Sequence, residues 1–240
     1  MTTPNESGDQ PIEAQSTEEE QLSPEEQAAR EQQEQQQEQQ QEQQQEQQQQ
    51  NEIIFAWYKH AEQVLKEQFS DYEVEGQVGQ HPVFGPLFAY TIRQNDNSYS
   101  CGFFLNELVH TFQNKENPGL WMSSFFVDLI RSSDNRPLPA APQSEEEAKQ
   151  LLDNYIVPHC AESVRSEFPE EQIYVDLEMH PEAGPVLEVG FPSIKEGNNT
   201  FALPLQFLMT LHLLNRDPAD PLVQALYKIH EEHQQQAERT

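Results

Sequence analysis

The sequence predicts an α+β fold built from an internally duplicated α-β-β-β-α-α unit, which follows a Glu/Gln-rich tail. Three observations lead to this prediction. Residues 31–50 contain only Gln and Glu and therefore cannot contribute to a core. After residue 53 the spacing of apolar residues changes repeatedly from helical to alternating, as in mixed folds. Short motifs also recur about 100 residues apart, which indicates a repeat.

The tail is strongly acidic. The chain has 240 residues and a net charge of −29, and residues 1–52 hold 14 acidic residues against one basic residue, Arg30. Residues 1–22 have almost no apolar side chains and are predicted to be a disordered acidic tail. Ser23-Pro24-Glu25-Glu26 has the pattern of a capping box, so a helix is expected to begin there.

Residues 23–52 are predicted to form a Gln/Glu-rich solvated helix or spacer. Glutamates at positions 31, 34, 38, 42 and 46 share one stripe of that helix and repel one another. No apolar a/d seam is present, so the coiled-coil-like composition reflects helix propensity without a partner helix. A spacer, a weak interaction tail and a Gln-rich self-association segment remain the alternatives for this segment.

Motif matches connect the two parts of residues 53–240. At an offset of 100 the matches are Ala61, Glu62, Val64 and Glu67 with Ala161, Glu162, Val164 and Glu167, and Leu105, Leu108 and Pro118 with Leu205, Leu208 and Pro218. At an offset of 99 they are His81-Pro82 and Gly85-Pro86 with His180-Pro181 and Gly184-Pro185. A one-residue change of offset is what a single loop deletion produces.

The first copy is assigned to residues 53–132. Helical spacing runs from Ile54 to Leu65, and alternation from Tyr72 to Val78 predicts a strand. Two more strands are predicted at Pro86–Ile92 and Tyr99–Leu105, joined by a polar turn. Asn106 is predicted to cap the next helix, and Asn117-Pro118 to open the last.

The second copy is assigned to residues 144–234, after a Pro-containing linker at 133–143 and before a polar end at 235–240. Glu145 to Phe168 is helical by pattern, with a break or kink near His159 because of Pro158. The predicted strands are Ile173–Met179, Val186–Phe191 and Thr200–Leu203, with a turn at Glu196–Asn199, and the predicted helices are Pro204–Asn215 and Asp220–His233.

Short connections predict that each copy forms a three-stranded antiparallel meander covered by helices. A sheet of this size has exposed edges, so we expect the copies to pack together as a pseudo-dimer, sheet edge to sheet edge or helix to helix. The order of elements in each copy resembles that of small acidic secretion chaperones with an α-β-β-β-α plan. The resemblance implies a chaperone-like role in binding a protein partner.

The chain is predicted to be a soluble cytoplasmic protein. Its first residues lack the features of a signal peptide, and no apolar stretch is long enough for a spanning helix. Cys101 and Cys160 are far apart and belong to no CxxC motif, so packed reduced thiols are favoured over a disulfide. The excess of acidic residues argues against nucleic acid or an anionic membrane as the partner.

No signature predicts a catalytic, cofactor or metal site. His230 and His233 are spaced to pinch a metal ion, but they lie at a polar helix end without further ligands. His159 and Cys160 are adjacent on a helix and point in different directions, so they are not a nucleophile and its base. Both cysteines, together with Trp57, Trp121, Phe125 and Phe126, are expected to be core.

His81 and His180 occupy matching positions between the first and second strands of each copy. Turn residues must persist in both copies of a duplication, whereas catalytic residues need not, so a structural role in the turn is favoured. The functional alternative is a symmetric, pH-sensitive pair of sites.

The leading hypothesis is a non-catalytic cytoplasmic adaptor or chaperone-like protein with an unidentified protein partner. One alternative is an enzyme with His81 and His180 in a cleft between the copies. A second is an acidic nucleic-acid mimic, which requires the acids to line one face.

Overall fold

The computed structural model describes residues 24–132, 134–194 and 199–238, so the predicted disordered segment 1–22 and most of the predicted turn at Glu196–Asn199 lie outside the described residues. The chain divides into two units, Met1–Glu52 and Ile53–Thr240. Helix α1 (Pro24–Gln68) begins in the first unit and its last residues belong to the second. Every side chain described between residues 39 and 52 is exposed, as expected for a polar helix.

The first half of the second unit contains a three-stranded antiparallel sheet in the order β1-β2-β3. Its elements after α1 are β1 (Glu73–His81), β2 (Gly85–Gln94), β3 (Asn97–Phe104), α2 (Leu105–Gln113) and α3 (Pro118–Ser132). A tight turn joins Gln94 to its partner Asn97, and Asn95 adopts the left-handed conformation there, with φ 55°.

The second half contains another three-stranded antiparallel sheet, in the order β4-β5-β6. Its elements are α4 (Glu145–Leu151), a π-helical segment (Leu152–Ile156), α5 (Val157–Glu167), β4 (Tyr174–His180), β5 (Gly184–Gly190), β6 (Thr200–Pro204), α6 (Leu205–Leu213) and α7 (Asp220–Glu238). The predicted α+β class with two antiparallel meanders is therefore confirmed. None of the described helices combines the length and apolar character needed to cross a bilayer.

Each half has its own core, formed where helices cover one face of the sheet. The first core joins Leu65 of α1 with Phe88, Tyr90 and Phe103 of the sheet and Phe126 of α3. The second joins α5, β5, α6 and α7 through Cys160, Val164, Leu187, Val189, Leu208, Leu222 and Leu226. Both cysteines are buried and unpaired, which confirms their expected place in the cores.

The two halves meet along β3, both at its free edge and on the face of the sheet that carries Gly102 and Phe104. The Gly102 N–H donates to the Leu214 carbonyl (3.0 Å), and the Leu214 side chain lies directly over Gly102. Next to this contact, Phe104 is buried with Leu211 and Leu214. The Asn215 amide Nδ2 lies 2.7–3.1 Å from the carbonyl oxygens of Ser100, Arg136 and Pro137. The first sheet, β1-β2-β3, is thus covered on both faces along β3.

One local prediction takes a more definite form and another needs correction. Of the break or kink predicted near His159, the break is absent: a π-helical segment lies just before Pro158, and the helix continues through the proline. Asn106 does not cap α2, because Phe104 occupies the N-cap position. Glu107 accepts the Phe104 N–H (3.0 Å), so the acidic third residue of the helix supplies the cap.

The contact between the halves predicts that Gly102→Ala is destabilising. A Cβ at position 102 would collide with Leu214, so we expect the free energy of unfolding to fall by about 1–3 kcal/mol. Gly79→Ala is the matched control, since its Cβ would meet Leu87 at an ordinary 3.9 Å. Urea unfolding followed by tryptophan fluorescence measures both. Equal stability of the two variants would contradict close packing at Gly102.

Candidate functional site

Two open clefts lie between the halves of the second unit. The first, called here the aromatic cleft, has a volume of about 850 Å³. The second, the histidine cleft, has a volume of about 860 Å³. Phe125, Arg216 and Asp220 border both clefts, so the connection between α6 and α7 forms part of each wall.

The aromatic cleft is lined by α2 and α3 of the first half and by β6, α6 and α7 of the second. Four partly buried aromatic side chains face it: Trp121, Phe125, Phe201 and Phe207. Clefts that combine an apolar lining with a few polar groups are the usual form of binding sites. Here the apolar lining comes from both halves.

Arg216 is fixed at the end of α6 by its own backbone. Asn215 adopts the left-handed conformation with φ 57°, and the Arg216 N–H donates to the Leu211 carbonyl (2.9 Å). This cap ends the helix and directs the Arg216 side chain toward the first half.

The Arg216 side chain occupies a site in the first half that we call the Arg216 pocket, formed by Phe103, Glu107, Trp121 and Phe125. Its guanidinium nitrogens lie 3.1 and 3.3 Å from the two carboxylate oxygens of Glu107. Its central carbon lies 4.3 Å from the ring centroid of Phe125 and 5.0 Å from that of Trp121. Only 9% of the side chain is exposed, so a paired cation is held among aromatic rings. Its Nε atom is buried without a hydrogen-bond partner among the described residues.

Further charged groups border the aromatic cleft. Glu116, Asp220 and Glu232 are acidic, and Lys228 is basic. Burial and the neighbouring Asp217 carboxylate raise the pKa of Asp220 above its ordinary value. Because Arg216 and Glu107 neutralise each other, the remaining groups give this cleft an acidic rim.

The histidine cleft contains an imidazole–carboxylate pair. His159 Nε2 lies 2.8 Å from Asp217 Oδ1, and the Tyr155 ring stacks on His159. The same Asp217 oxygen accepts the Ala219 N–H (2.8 Å) at the start of α7. Burial, His159 and Arg136 lower the pKa of His212 nearby. The pair can orient an imidazole, and it also stabilises a helix start.

Cys160 does not join this pair. Its thiol is buried in the second core, and burial raises its pKa to about 12. Burial likewise raises the pKa of Cys101 to about 12. His159 therefore bonds Asp217 and not the adjacent thiol, in agreement with the prediction for neighbouring helical residues.

His81 and His180 each bond the backbone of their own turn. His81 Nδ1 accepts the N–H groups of Val83 and Phe84, both at 3.2 Å. His180 Nδ1 accepts those of Glu182 and Ala183, at 3.3 and 3.2 Å. These contacts support the structural interpretation of the pair. Gly85 and Gly184, the strand partners of these histidines, have φ values of 81° and 72°, which explains why glycine recurs there.

The remaining candidates lie elsewhere. His230 Nε2 is 3.8 Å from Glu171, and its ring lies beside Phe168 and Phe191. Within the described part of the chain, no group of three or more His, Cys, Asp or Glu side chains is placed to hold a metal ion. Of the aromatic residues expected in the core, Phe126 is fully buried, whereas Trp57, Trp121 and Phe125 are only partly buried.

Sequence reasoning did not identify Arg216. Its partners Glu107, Trp121 and Phe125 lie about 100 residues away, so no local pattern reveals them. The sequence does contain one signal that could have pointed to Arg216. This basic residue directly follows the predicted apolar helix Pro204–Asn215 in a chain with only 13 Lys and Arg residues.

Comparison of the chain with protein-family models, with curated proteins and with solved structures finds no match. The interpretation of the clefts therefore rests on their own geometry.

Removal of the Arg216 charge is predicted to destabilise the protein. Arg216→Met leaves Glu107 unpaired, so we expect the free energy of unfolding to fall by about 2–4 kcal/mol. Adding Glu107→Gln should recover part of this loss, since no unpaired carboxylate remains. Arg131→Met is the control, because Arg131 and Asp128 are each 76% exposed and should contribute below about 1 kcal/mol. Additive effects of the Arg216 and Glu107 changes would contradict the pairing.

The hydrogen bonds that His81 accepts in its turn predict that the free energy of unfolding decreases as the pH is lowered. Burial lowers the pKa of His81 below the ordinary 6.5, and a protonated Nδ1 cannot accept the two turn amides. The unfolded chain therefore binds the proton more readily, and stability declines as the pH falls through about 6.5 toward the lower folded-state pKa. His81→Asn keeps an acceptor but does not titrate, so it should lose less stability over this range. Chemical unfolding at several pH values measures this, with the exposed His60→Asn as the control. Parallel pH profiles of wild type and His81→Asn would contradict the prediction.

Proposed function

We propose that this protein is a non-catalytic adaptor or chaperone-like protein that binds a segment of a partner protein in the aromatic cleft. The observation that carries the proposal is the open cleft between the halves, with four partly buried aromatic side chains on its walls. Aromatic side chains provide large contact areas and are enriched where proteins bind one another. The acidic segment before residue 53 then acts as a solubilising spacer, and the two buried unpaired thiols support a cytoplasmic location.

The histidines that were candidates for catalysis have structural partners, and neither His81 nor His180 lines one of the two clefts, which favours binding over catalysis. His81 and His180 each accept two amides of their own turn. Asp217, the partner of His159, accepts the Ala219 N–H in the turn just before α7. We therefore assign these histidines to the support of the fold.

We also propose that the two halves arose by duplication. Helices α2 and α6 end in the same way: Lys115 and Asn215 are left-handed, and the N–H groups of Glu116 and Arg216 donate to the carbonyls of Thr111 and Leu211. The next helices also begin alike. Asn117 accepts the Gly119 N–H and Asp217 accepts the Ala219 N–H, at 2.9 and 2.8 Å.

The positions of buried residues give a better sequence alignment of the two halves than the motif matches alone. The buried residues Ala61, Leu65 and Phe69 of the first helix correspond to Cys160, Val164 and Phe168 at an offset of 99. The matches of Ala61, Glu62, Val64 and Glu67 at an offset of 100 are therefore one residue out of register. The strand pairs Tyr90–Cys101 and Val189–Phe201 place the extra residue between the second and third strands of the second half.

This alignment supports a pseudo-dimer with one closed and one open contact. At an offset of 100, Arg216 corresponds to Glu116, and Glu107, Trp121 and Phe125 of the Arg216 pocket correspond to Phe207, Pro221 and Ala225. All four counterparts line the aromatic cleft. In the closed contact Leu214 covers Gly102, whereas their counterparts are Asn114, which lines the cleft, and Ala202, which is exposed. We infer that the part of the aromatic cleft lined by these four counterparts is the unfilled equivalent of the Arg216 pocket, which borders the same cleft.

The proposal predicts that a photoreactive side chain in the cleft cross-links a partner. Benzoylphenylalanine at Gln224, an exposed residue of the cleft lining, should give a defined adduct with a second polypeptide in cells that express the chain naturally. Phe201→Asp should abolish the adduct, because it places a charge on the apolar wall. Val83→Asp is the control, since Val83 is 62% exposed on a turn outside the cleft lining.

Circular dichroism of both variants checks that they are folded. The proposal is wrong if the adduct persists in Phe201→Asp or is lost equally in the two variants.

A further inference from the structure

We propose that the segment bound in the aromatic cleft is basic and amphipathic, and that one of its cationic side chains pairs with Glu116. This inference rests on the function proposed above and names the chemistry of the partner. It follows from the difference between the Arg216 pocket and its counterpart in the cleft.

The Arg216 pocket shows what this kind of site holds when it is filled. A guanidinium pairs with Glu107 through both carboxylate oxygens and lies against Phe125 and Trp121. The counterpart group keeps apolar walls, with Phe207, Pro221 and Ala225, but has an acid, Glu116, in place of the arginine. The counterpart group therefore contains no cation, and Glu116 is the carboxylate with which a cation of an incoming segment could pair.

The charges around the cleft favour a cation. Three acidic residues border the cleft and have no basic group within ion-pair distance among the described residues: Glu116, Asp220 and Glu232. The border also includes one basic residue, Lys228. Once the mutually paired Arg216 and Glu107 are set aside, three carboxylates face one ammonium group. An acidic segment would be repelled, whereas a basic one gains favourable pairs and a faster association rate.

The backbone leaves Glu116 available for such a pair. Its N–H is used to cap α2 through the Thr111 carbonyl (3.1 Å), and its side chain is exposed at the border of the cleft. The raised pKa of Asp220 agrees with this interpretation, since a nearby cation would relieve the cost of that charge. Apolar side chains between the basic positions would contact Phe201 and Phe207, so the segment must be amphipathic.

Two synthetic peptides of equal length test the inference on the full-length protein. Both carry the same Leu and Phe residues; one has arginine at the polar positions and the other has citrulline, its neutral analogue. Fluorescence anisotropy at about 0.15 M salt gives the Kd of each. We expect the arginine peptide to bind at least about tenfold more tightly, as several charge pairs contribute.

Glu116→Gln assigns the effect to the cleft. This substitution should raise the Kd of the arginine peptide by about threefold to tenfold and leave the Kd of the citrulline peptide unchanged. Glu182→Gln is the control, because it removes the same charge from an exposed turn outside the cleft lining, and it should change Kd by less than about twofold. Thermal unfolding of both variants checks that the fold is unaffected.

Three results would overturn the inference. If the two peptides bind with equal affinity and Phe201→Asp abolishes the binding of both, the proposed function stands and only the prediction of a basic segment is rejected. Equal weakening by Glu116→Gln and Glu182→Gln would show attraction to net charge and not to the cleft. Failure of both peptides to bind also rejects it, whereas the proposed function is judged separately, by the cross-link from Gln224 and its selective loss in Phe201→Asp.

Discussion

The insertion of Arg216 between the halves is the interaction on which the rest of the second unit depends. It joins the α6–α7 connection to Glu107, which also caps α2, and to the rings of Phe125 and Trp121. A buried ion pair contributes little net stability compared with apolar packing of the same shape, because both charges lose water. Its main effect is to fix one arrangement of the halves, since any displacement leaves two buried charges without partners. The two clefts owe their form to that arrangement.

The residues next to Arg216 in the sequence hold its side chain in the Arg216 pocket. Asn215 is left-handed and its side chain contacts three carbonyl oxygens of the first half and the linker, while Gly102 admits Leu214. Asp217 then starts α7 and bonds His159. Four consecutive residues thus end one helix, join the halves, form the walls of both clefts and begin the next helix. A short connection can do this because each residue uses a different group: an apolar side chain, a side-chain amide, a guanidinium and a carboxylate.

The sequence predicts the elements well and the contacts between them poorly, for a physical reason. Alternation in β4 and polar turns locate the strands, because these signals are local. Alternation does not tell whether a face is covered: Leu177 and Met179 continue the apolar pattern of β4, yet they are 50% and 76% exposed. The interpretation of His81 and His180 as turn residues is supported by local hydrogen bonds, which reach only two or three residues ahead. Arg216 was missed because its partners are about 100 residues distant.

Under the proposed duplication, two equal contacts between the halves are the simplest expectation, and the inequality of the two contacts would account for the cleft. If both copies had kept an arginine, an acid and two aromatic rings, both pockets would be filled from within the chain. In the proposed alignment the corresponding residues are Glu116, Phe207, Pro221 and Ala225, so that contact has neither the cation nor the acidic acceptor of the Arg216 pocket. Because the other contact still fixes the arrangement of the halves, the open one does not need to stabilise the fold. It can keep partly buried aromatic rings and an acidic border at little cost, which is the condition under which a surface becomes available to a partner.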